Sequence, residues 1–169
     1  MAAISTKRTI YRESHARRFR YIVPMILGCF FLFRGPRLSS PFDVRIIQHT
    51  NIIDWVSVVL CVVGMLFSFW ARATIGRNWS GIVTLKENHE LIVRGPYAFV
   101  RHPIYTGFLA MFLATALLYG RLAGILAVLL VFVSFWIKLR DEEEIMLKQF
   151  PDQYPAYQQR VKRIIPYLW

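Results

Sequence analysis

Apolar and polar residues along this chain come in blocks and do not alternate finely. Four apolar runs stand out: Phe19–Phe33, Ile52–Ala71, Ile104–Tyr119 and Leu122–Ile137. Helices that are apolar all round are rare in soluble proteins this small, so the runs point to lipid. The second run is about as long as a bilayer core requires, roughly 20 helical residues. The third and fourth are shorter, and only Gly120 and Arg121 separate them. They are expected to form a tight helical hairpin that borrows interfacial residues at its outer ends. Pro24 and Gly28 lie inside the first run. The expected fold is all-α: one polytopic integral membrane domain over residues 1–169, with about four transmembrane helices.

Charge turns this pattern into a topology. The 169 residues are 56% hydrophobic and 15% aromatic, yet carry 21 Lys+Arg against 10 Asp+Glu, a formal charge of +11. A basic nucleic-acid-binding domain would dilute its apolar residues, so a nucleic-acid partner is excluded. Disorder needs low hydrophobicity and is excluded for most of the chain. The two cysteines, Cys29 and Cys61, lie inside apolar runs, which leaves no disulfide scaffold. Lys+Arg number 6 in residues 1–20, 5 in 72–103 and 6 in 138–169, against 3 in 34–51 and 1 at Arg121. High and low counts alternate across the four spans. By the positive-inside rule, both termini and the 72–103 loop are expected to face the cytoplasm. The first run is expected to be a retained span and not a signal peptide. The basic stretch before it is long, Arg34 follows it directly, and no A-x-A-like site appears.

Candidate chemistry concentrates in the loop and tail on the basic side, residues 72–107 and 138–169. Gly95-Pro96 is a turn signal. Pro103 fits the first turn of the third helix, where a missing N–H costs little. Arg101 and His102 therefore sit where a loop enters a helix at the membrane surface. Two readings stand for them: interfacial snorkelling, or part of an anion site at a helix N-terminus. The tail continues the fourth run as Lys138-Leu-Arg140-Asp-Glu142-Glu143-Glu144. Lys138 and Glu142 share a helix face, as do Arg140 and Glu144. Tyr154, Tyr157, Tyr167 and Trp169 read as a membrane-interface belt. Dinucleotide and P-loop glycine motifs are absent, as are H-E-x-x-H, C-x-x-C and a serine nucleophile elbow. A metal site has no support.

Three pieces in order then carry a resemblance. They are Gly76-Arg-Asn-Trp-Ser80, His89-Glu-Leu-Ile-Val-Arg-Gly-Pro-Tyr97 and Arg101-His-Pro-Ile-Tyr-Thr-Gly107. After the hairpin come Glu142-Glu143, Phe150, Tyr154, Tyr157, Val161 and Pro166. Over roughly residues 70–168 the chain resembles the isoprenylcysteine carboxyl methyltransferase family, within a wider group of membrane methyltransferases that includes phospholipid methyltransferases. The resemblance implies S-adenosyl-L-methionine as cofactor, held by loop and tail together. It places His89, Glu90, Leu91, Ile92, Tyr97, Arg101, His102, Pro103, Ile104, Tyr105 and Glu142 around the cofactor, with Glu142 on its amino group. Lys138, Arg140 and Glu143 are the candidate catalytic residues. The family commonly has Arg four positions before the first Glu, where this chain has Lys138, and only Arg offers a bidentate fork to a carboxylate. Arg140 is the nearest substitute.

The implied activity is O-methylation of the carboxylate of an isoprenylcysteine-like or other lipophilic acceptor that enters from the bilayer. A phospholipid amine or small thiol is an alternative acceptor, for which His102 would be the nearest base. Two further alternatives are an NADPH-dependent membrane reductase of the sterol-reductase type and a non-enzymatic module that holds anionic membrane lipids. The sequence assigns no oligomeric state.

Overall fold

The computed structural model of the chain describes residues 9–37, 42–79, 84–86 and 90–166. Four helices form its frame: α1 His15–Arg34, α2 Asn51–Ile75, α3 Pro103–Tyr119 and α4 Leu122–Gln149. A short α5, Tyr154–Arg160, follows. Each boundary has a local cause. The Ser14 hydroxyl accepts from the Arg17 amide at 3.3 Å and starts α1, and Thr50 does the same for Ile53 at 3.2 Å in α2. Pro103 opens α3 at a position that loses no hydrogen bond. Gly120 closes α3 in the left-handed region, at φ +62°, which favours glycine. Added bulk there would meet the Ile47 carbonyl. Arg121 alone then precedes α4.

Small residues set the packing, as expected where lipid supplies no hydrophobic drive between helices. α4 lies between α1 and α3. On one side, a Cβ at Gly28 would stand 2.7 Å from a Val131 methyl, and the Ser134 hydroxyl donates to the Tyr21 carbonyl at 2.6 Å. On the other, a Cβ at Gly124 would stand 3.0 Å from that of Ala116. α2 packs on α3 through Gly64 and Gly107, with a Cβ at Gly64 only 2.7 Å from the Gly107 carbonyl oxygen. α2 and α4 are long and apolar enough to cross a membrane, and α3 is a shorter apolar helix of 17 residues. The outer face of α2 is bare: Ile52 is 76% exposed, Trp55 70% and Phe69 63%. A soluble core helix would bury such residues; an apolar face this bare suits a lipid surround.

The structure departs from the all-α expectation in one place. Strand β1, Thr9–Arg12, pairs antiparallel with β2, Thr84–Lys86, in the register Thr9↔Lys86, Tyr11↔Leu85 and Arg12↔Thr84. The partners lie far apart in sequence, so no turn motif announces them. The sheet ties the segment before α1 to the loop after α2. At the opposite end, residues 42–47 run beside the α3–α4 turn, where the Ile46 and Ile47 amides donate to the Gly120 carbonyl at 2.8 and 3.0 Å.

Gly107→Val should force α2 and α3 apart, because its side chain would overlap Ser68 and the Gly64 carbonyl. Overpacking of this kind costs about 1–3 kcal/mol. A thermal-shift assay in detergent should show a clear fall in melting temperature, with Val59→Ala on the bare face of α2 unchanged. Equal melting of Gly107→Val and the parent protein would contradict the packing described.

Candidate active site

The loop after α2 and the tail meet at the start of α3. Gly95, at φ +61°, turns the chain into a single 3-10 turn, Gly95–Ala98, that buries Pro96 and Tyr97. The tail then lies along the residues that follow. The Arg101 amide donates to the Lys162 carbonyl at 2.8 Å, the His102 amide to the Arg163 carbonyl at 3.0 Å, and the Thr106 hydroxyl to the Ile164 carbonyl at 2.8 Å. The Tyr157 hydroxyl donates to the Tyr97 carbonyl at 2.6 Å.

One buried carboxylate locks this join. The Glu143 side chain is 4% exposed. Arg101 approaches its Oε1 through Nε at 2.9 Å and Nη2 at 2.7 Å, and His102 Nε2 lies 3.2 Å away. Arg163 approaches Oε2 through Nε at 3.0 Å and Nη2 at 2.9 Å, and Gln158 donates to it at 3.2 Å. Arg101 also donates to the carbonyls of Gln158 and Val161. A buried charge is tolerable only when paired and hydrogen-bonded in this way.

Beside this cluster lies a cavity of about 480 Å³. Its wall contains Glu90, Leu91, Ile92, Tyr97, Arg101, His102, Pro103, Ile104, Tyr105 and Glu142, ten of the residues expected around a cofactor. His89 lies outside the described residues. Of the three candidate catalytic residues, Lys138 lines the cavity while Arg140 and Glu143 do not. Helical phase explains the division. Lys138 and Glu142 are one turn apart on a shared face, whereas Arg140 lies two residues on and points away. Arg140 is exposed, with its guanidinium 5.3 Å from the Trp136 ring centroid. Glu143, one residue past Glu142, is rotated onto the tail.

The wall also holds residues the sequence did not single out for a site. Asn78 and Trp79 sit just past the end of α2, within a motif that was legible but carried no role. Tyr154 and Tyr157, expected in an interface belt, are each only 3% exposed and line the cavity. Tyr167 and Trp169 lie outside the described residues. Burial, followed by the nearby Glu142 charge, pushes the Tyr97 hydroxyl well above the usual tyrosine range. Burial does the same to Tyr154 and Tyr157, so all three stay protonated at neutral pH. Met25, Phe108, Phe112 and Phe135 give the cavity an apolar end among the helices.

Several groups at the wall suit a polar ligand. The Tyr105 hydroxyl donates to Glu142 at 2.5 Å, and His102 Nδ1 is 3.6 Å from the same carboxylate. No side chain among the described residues caps α3, which leaves the first-turn amides of Ile104 and Tyr105 for an anion. Asn78, 7% exposed, donates to the Glu90 carbonyl at 3.5 Å, while its buried Oδ1 has no hydrogen-bond partner among the described residues.

Comparison with known proteins gives a consistent picture. The family model described as phospholipid methyltransferase matches residues 52–153. The protein-S-isoprenylcysteine O-methyltransferase of Schizosaccharomyces pombe is 36% identical over 110 residues, 63% of this chain and 46% of that protein. Protein-S-isoprenylcysteine O-methyltransferase B of Arabidopsis thaliana is 30% identical over 120 residues, 68% of this chain and 61% of that protein. The chain thus spans roughly half of the length of these relatives. The solved structure of the eukaryotic intramembrane Ras methyltransferase, isoprenylcysteine carboxyl methyltransferase, matches with a TM-score of 0.65 at 23% identity. The match covers 94% of this chain and 55% of that one, a likeness of fold.

Glu143→Gln should release the tail. It leaves Arg101 and Arg163 facing an uncharged amide, and breaking a buried pair costs about 3–5 kcal/mol. Limited proteolysis should then cut within residues 150–166 much faster than in the parent protein, while Arg140→Ala stays within about 0.5 kcal/mol of parent stability. Unchanged protection in Glu143→Gln would refute the locking role.

Proposed function

The chain belongs to the phospholipid methyltransferase family, and on that footing we propose that it is a membrane enzyme that methylates the carboxylate of a lipophilic, isoprenylcysteine-like acceptor with S-adenosyl-L-methionine. The observation that carries the reading is the pairing of Lys138 and Glu142, one helical turn apart, at the wall of one cavity with the uncapped start of α3. The residues present fit the cofactor. Glu142 offers a carboxylate to its ammonium group. The Ile104 and Tyr105 amides suit its carboxylate. The buried Oδ1 of Asn78, without a partner among the described residues, suits an adenine amine or a ribose hydroxyl. The faces of Trp79 and Tyr97 suit the adenine ring or the positive sulfur. When bound, the cofactor supplies an electrophilic methyl group.

The protein's own contribution is to hold and orient. A carboxylate acceptor is ionised near pH 7, so the site needs no general base. Placement and exclusion of water then supply most of the rate. Lys138 meets the acceptor's anionic end, and the apolar end of the cavity, with Met25, Phe108 and Phe112, takes its hydrocarbon part. The Lys138 ammonium favours an anionic acceptor over a phospholipid amine, the reading the family description would otherwise suggest. Arg140 and Glu143 act outside the reaction, Glu143 by fixing Arg101 and His102. Residues 72–107 and 138–169 together form the cofactor region of a single membrane domain. The charge pattern supports four spans with both termini and the cavity on the cytoplasmic side.

Purified protein in nanodiscs should transfer labelled methyl from S-adenosylmethionine to a farnesylcysteine analogue. Glu142→Gln should weaken cofactor binding about tenfold or more, equivalent to about 1.4 kcal/mol. Lys138→Ala should raise the acceptor KM more than the cofactor Kd. An intact protein that binds no cofactor would sink the reading, and equal losses in both constants for Lys138→Ala would refute the division of roles.

A further inference from the structure

The Lys138 ammonium lies between two aromatic rings. Its Nζ is 5.3 Å from the Tyr21 ring centroid and 5.5 Å from that of Tyr105. The rings come from the two helices that flank α4, Tyr21 from α1 and Tyr105 from α3. Each is tied at its hydroxyl to a carboxylate. Tyr105 donates to Glu142 at 2.5 Å, and Tyr21 donates to Glu13 in the segment just before α1. Tyr21 and Glu13 are 5% and 7% exposed. Tyr21 is held at its backbone too, where its carbonyl accepts from Ser134 at 2.6 Å. Ser134 stands one turn before Lys138 on the same face of α4. Lys138, Tyr105 and Glu142 line the cavity; Tyr21 is not part of its wall.

This arrangement has a physical purpose. A lysine ammonium is a point charge on a flexible four-carbon stem, with no rigid fork to aim it. Its position must come from its surroundings. A ring face attracts a cation within about 6 Å of its centroid, most strongly away from water. Two such faces on different helices restrict where the ammonium can go, and their hydroxyl tethers keep the rings from swinging. Of the two, Tyr105 also serves Glu142 and the cavity wall. Tyr21 contacts Lys138 from behind.

We propose that Tyr21, tethered by Glu13, is a positioning residue for methyl transfer that holds the Lys138 ammonium at the place where the acceptor's anionic group binds. The inference rests on Lys138 being the acceptor-binding residue of the proposed function. It extends acceptor recognition to the segment before α1, well outside the loop and tail.

The test uses the full chain in nanodiscs, with Tyr21→Phe and Tyr21→Leu. Three quantities are measured: the KM for a farnesylcysteine analogue, the Kd for S-adenosylmethionine, and the rate at which an acetylating reagent modifies Lys138, read by mass spectrometry. Tyr21→Leu should raise the acceptor KM about tenfold, as loss of a desolvated cation–π contact would. It should also speed acetylation of Lys138 and leave the cofactor Kd unchanged. Tyr21→Phe keeps the ring and should recover most of the KM. A Tyr21→Leu protein with parental KM and parental acetylation overturns the proposal, as does a cofactor Kd that rises in step with KM. If Tyr21→Leu does not fold, Glu13→Gln replaces it, with the same rise in KM and acetylation expected to a smaller degree and unchanged values overturning the proposal. A parent protein that methylates no acceptor would defeat the proposed function instead. The acetylation rates would then still decide whether Tyr21 holds Lys138.

Discussion

The Glu143 carboxylate is buried, and a buried charge must be met on every side or it unfolds what surrounds it. Here it is met by Arg101 and His102 from the loop entering α3 and by Gln158 and Arg163 from the tail. With Glu143 itself on α4, three separate stretches of chain meet here. The carboxylate makes their mutual position a condition of its own stability. The wall of the cavity follows from that position, because Arg101 and His102 line it while they hold Glu143. The tail's backbone bonds to residues 101, 102 and 106 then complete the join.

Beneath this cluster the helices supply a rigid frame. Glycines 28, 64, 107 and 124 let the helices approach closely, so α4 keeps a defined rotation between α1 and α3. That rotation separates the two neighbouring acids. Glu142 falls on the Lys138 face and opens to the cavity, while Glu143 falls about 100° around the helix, onto the tail. One residue step thus divides a cavity-facing carboxylate from one that holds the tail.

Much of this was legible in the sequence, for definite reasons. Helices α2 and α3 and the start of α4 follow from blocks of apolar residues, and Gly120 marks the one turn between α3 and α4. The continuation of α4 to Gln149 follows from its i,i+4 charge pattern. Ten residues of the cavity wall were marked by the Gly95-Pro96 turn, by Pro103 and by the family resemblance. Other features rest on partners remote in sequence. The β1–β2 pairing has no local turn signal. Tyr154 and Tyr157 look like interface aromatics until α5 folds them inward. Arg140 and Glu143 share charge and neighbourhood with Lys138 and Glu142, and only the rotation of α4 against its neighbours sorts them. Tyr21 sits inside an apolar run, where nothing local separates it from lipid-facing aromatics such as Phe19 and Phe30.

On the proposed function, loop, tail and α4 build one cofactor cavity, with Glu142 facing it and Glu143 holding it together. A structure of the intact protein in nanodiscs with S-adenosylhomocysteine tests this most directly. The ligand should lie in the cavity with its amino group against Glu142, and the Glu143 cluster should be unchanged. Ligand bound elsewhere, or bound in the cavity with its amino group away from Glu142, would contradict it.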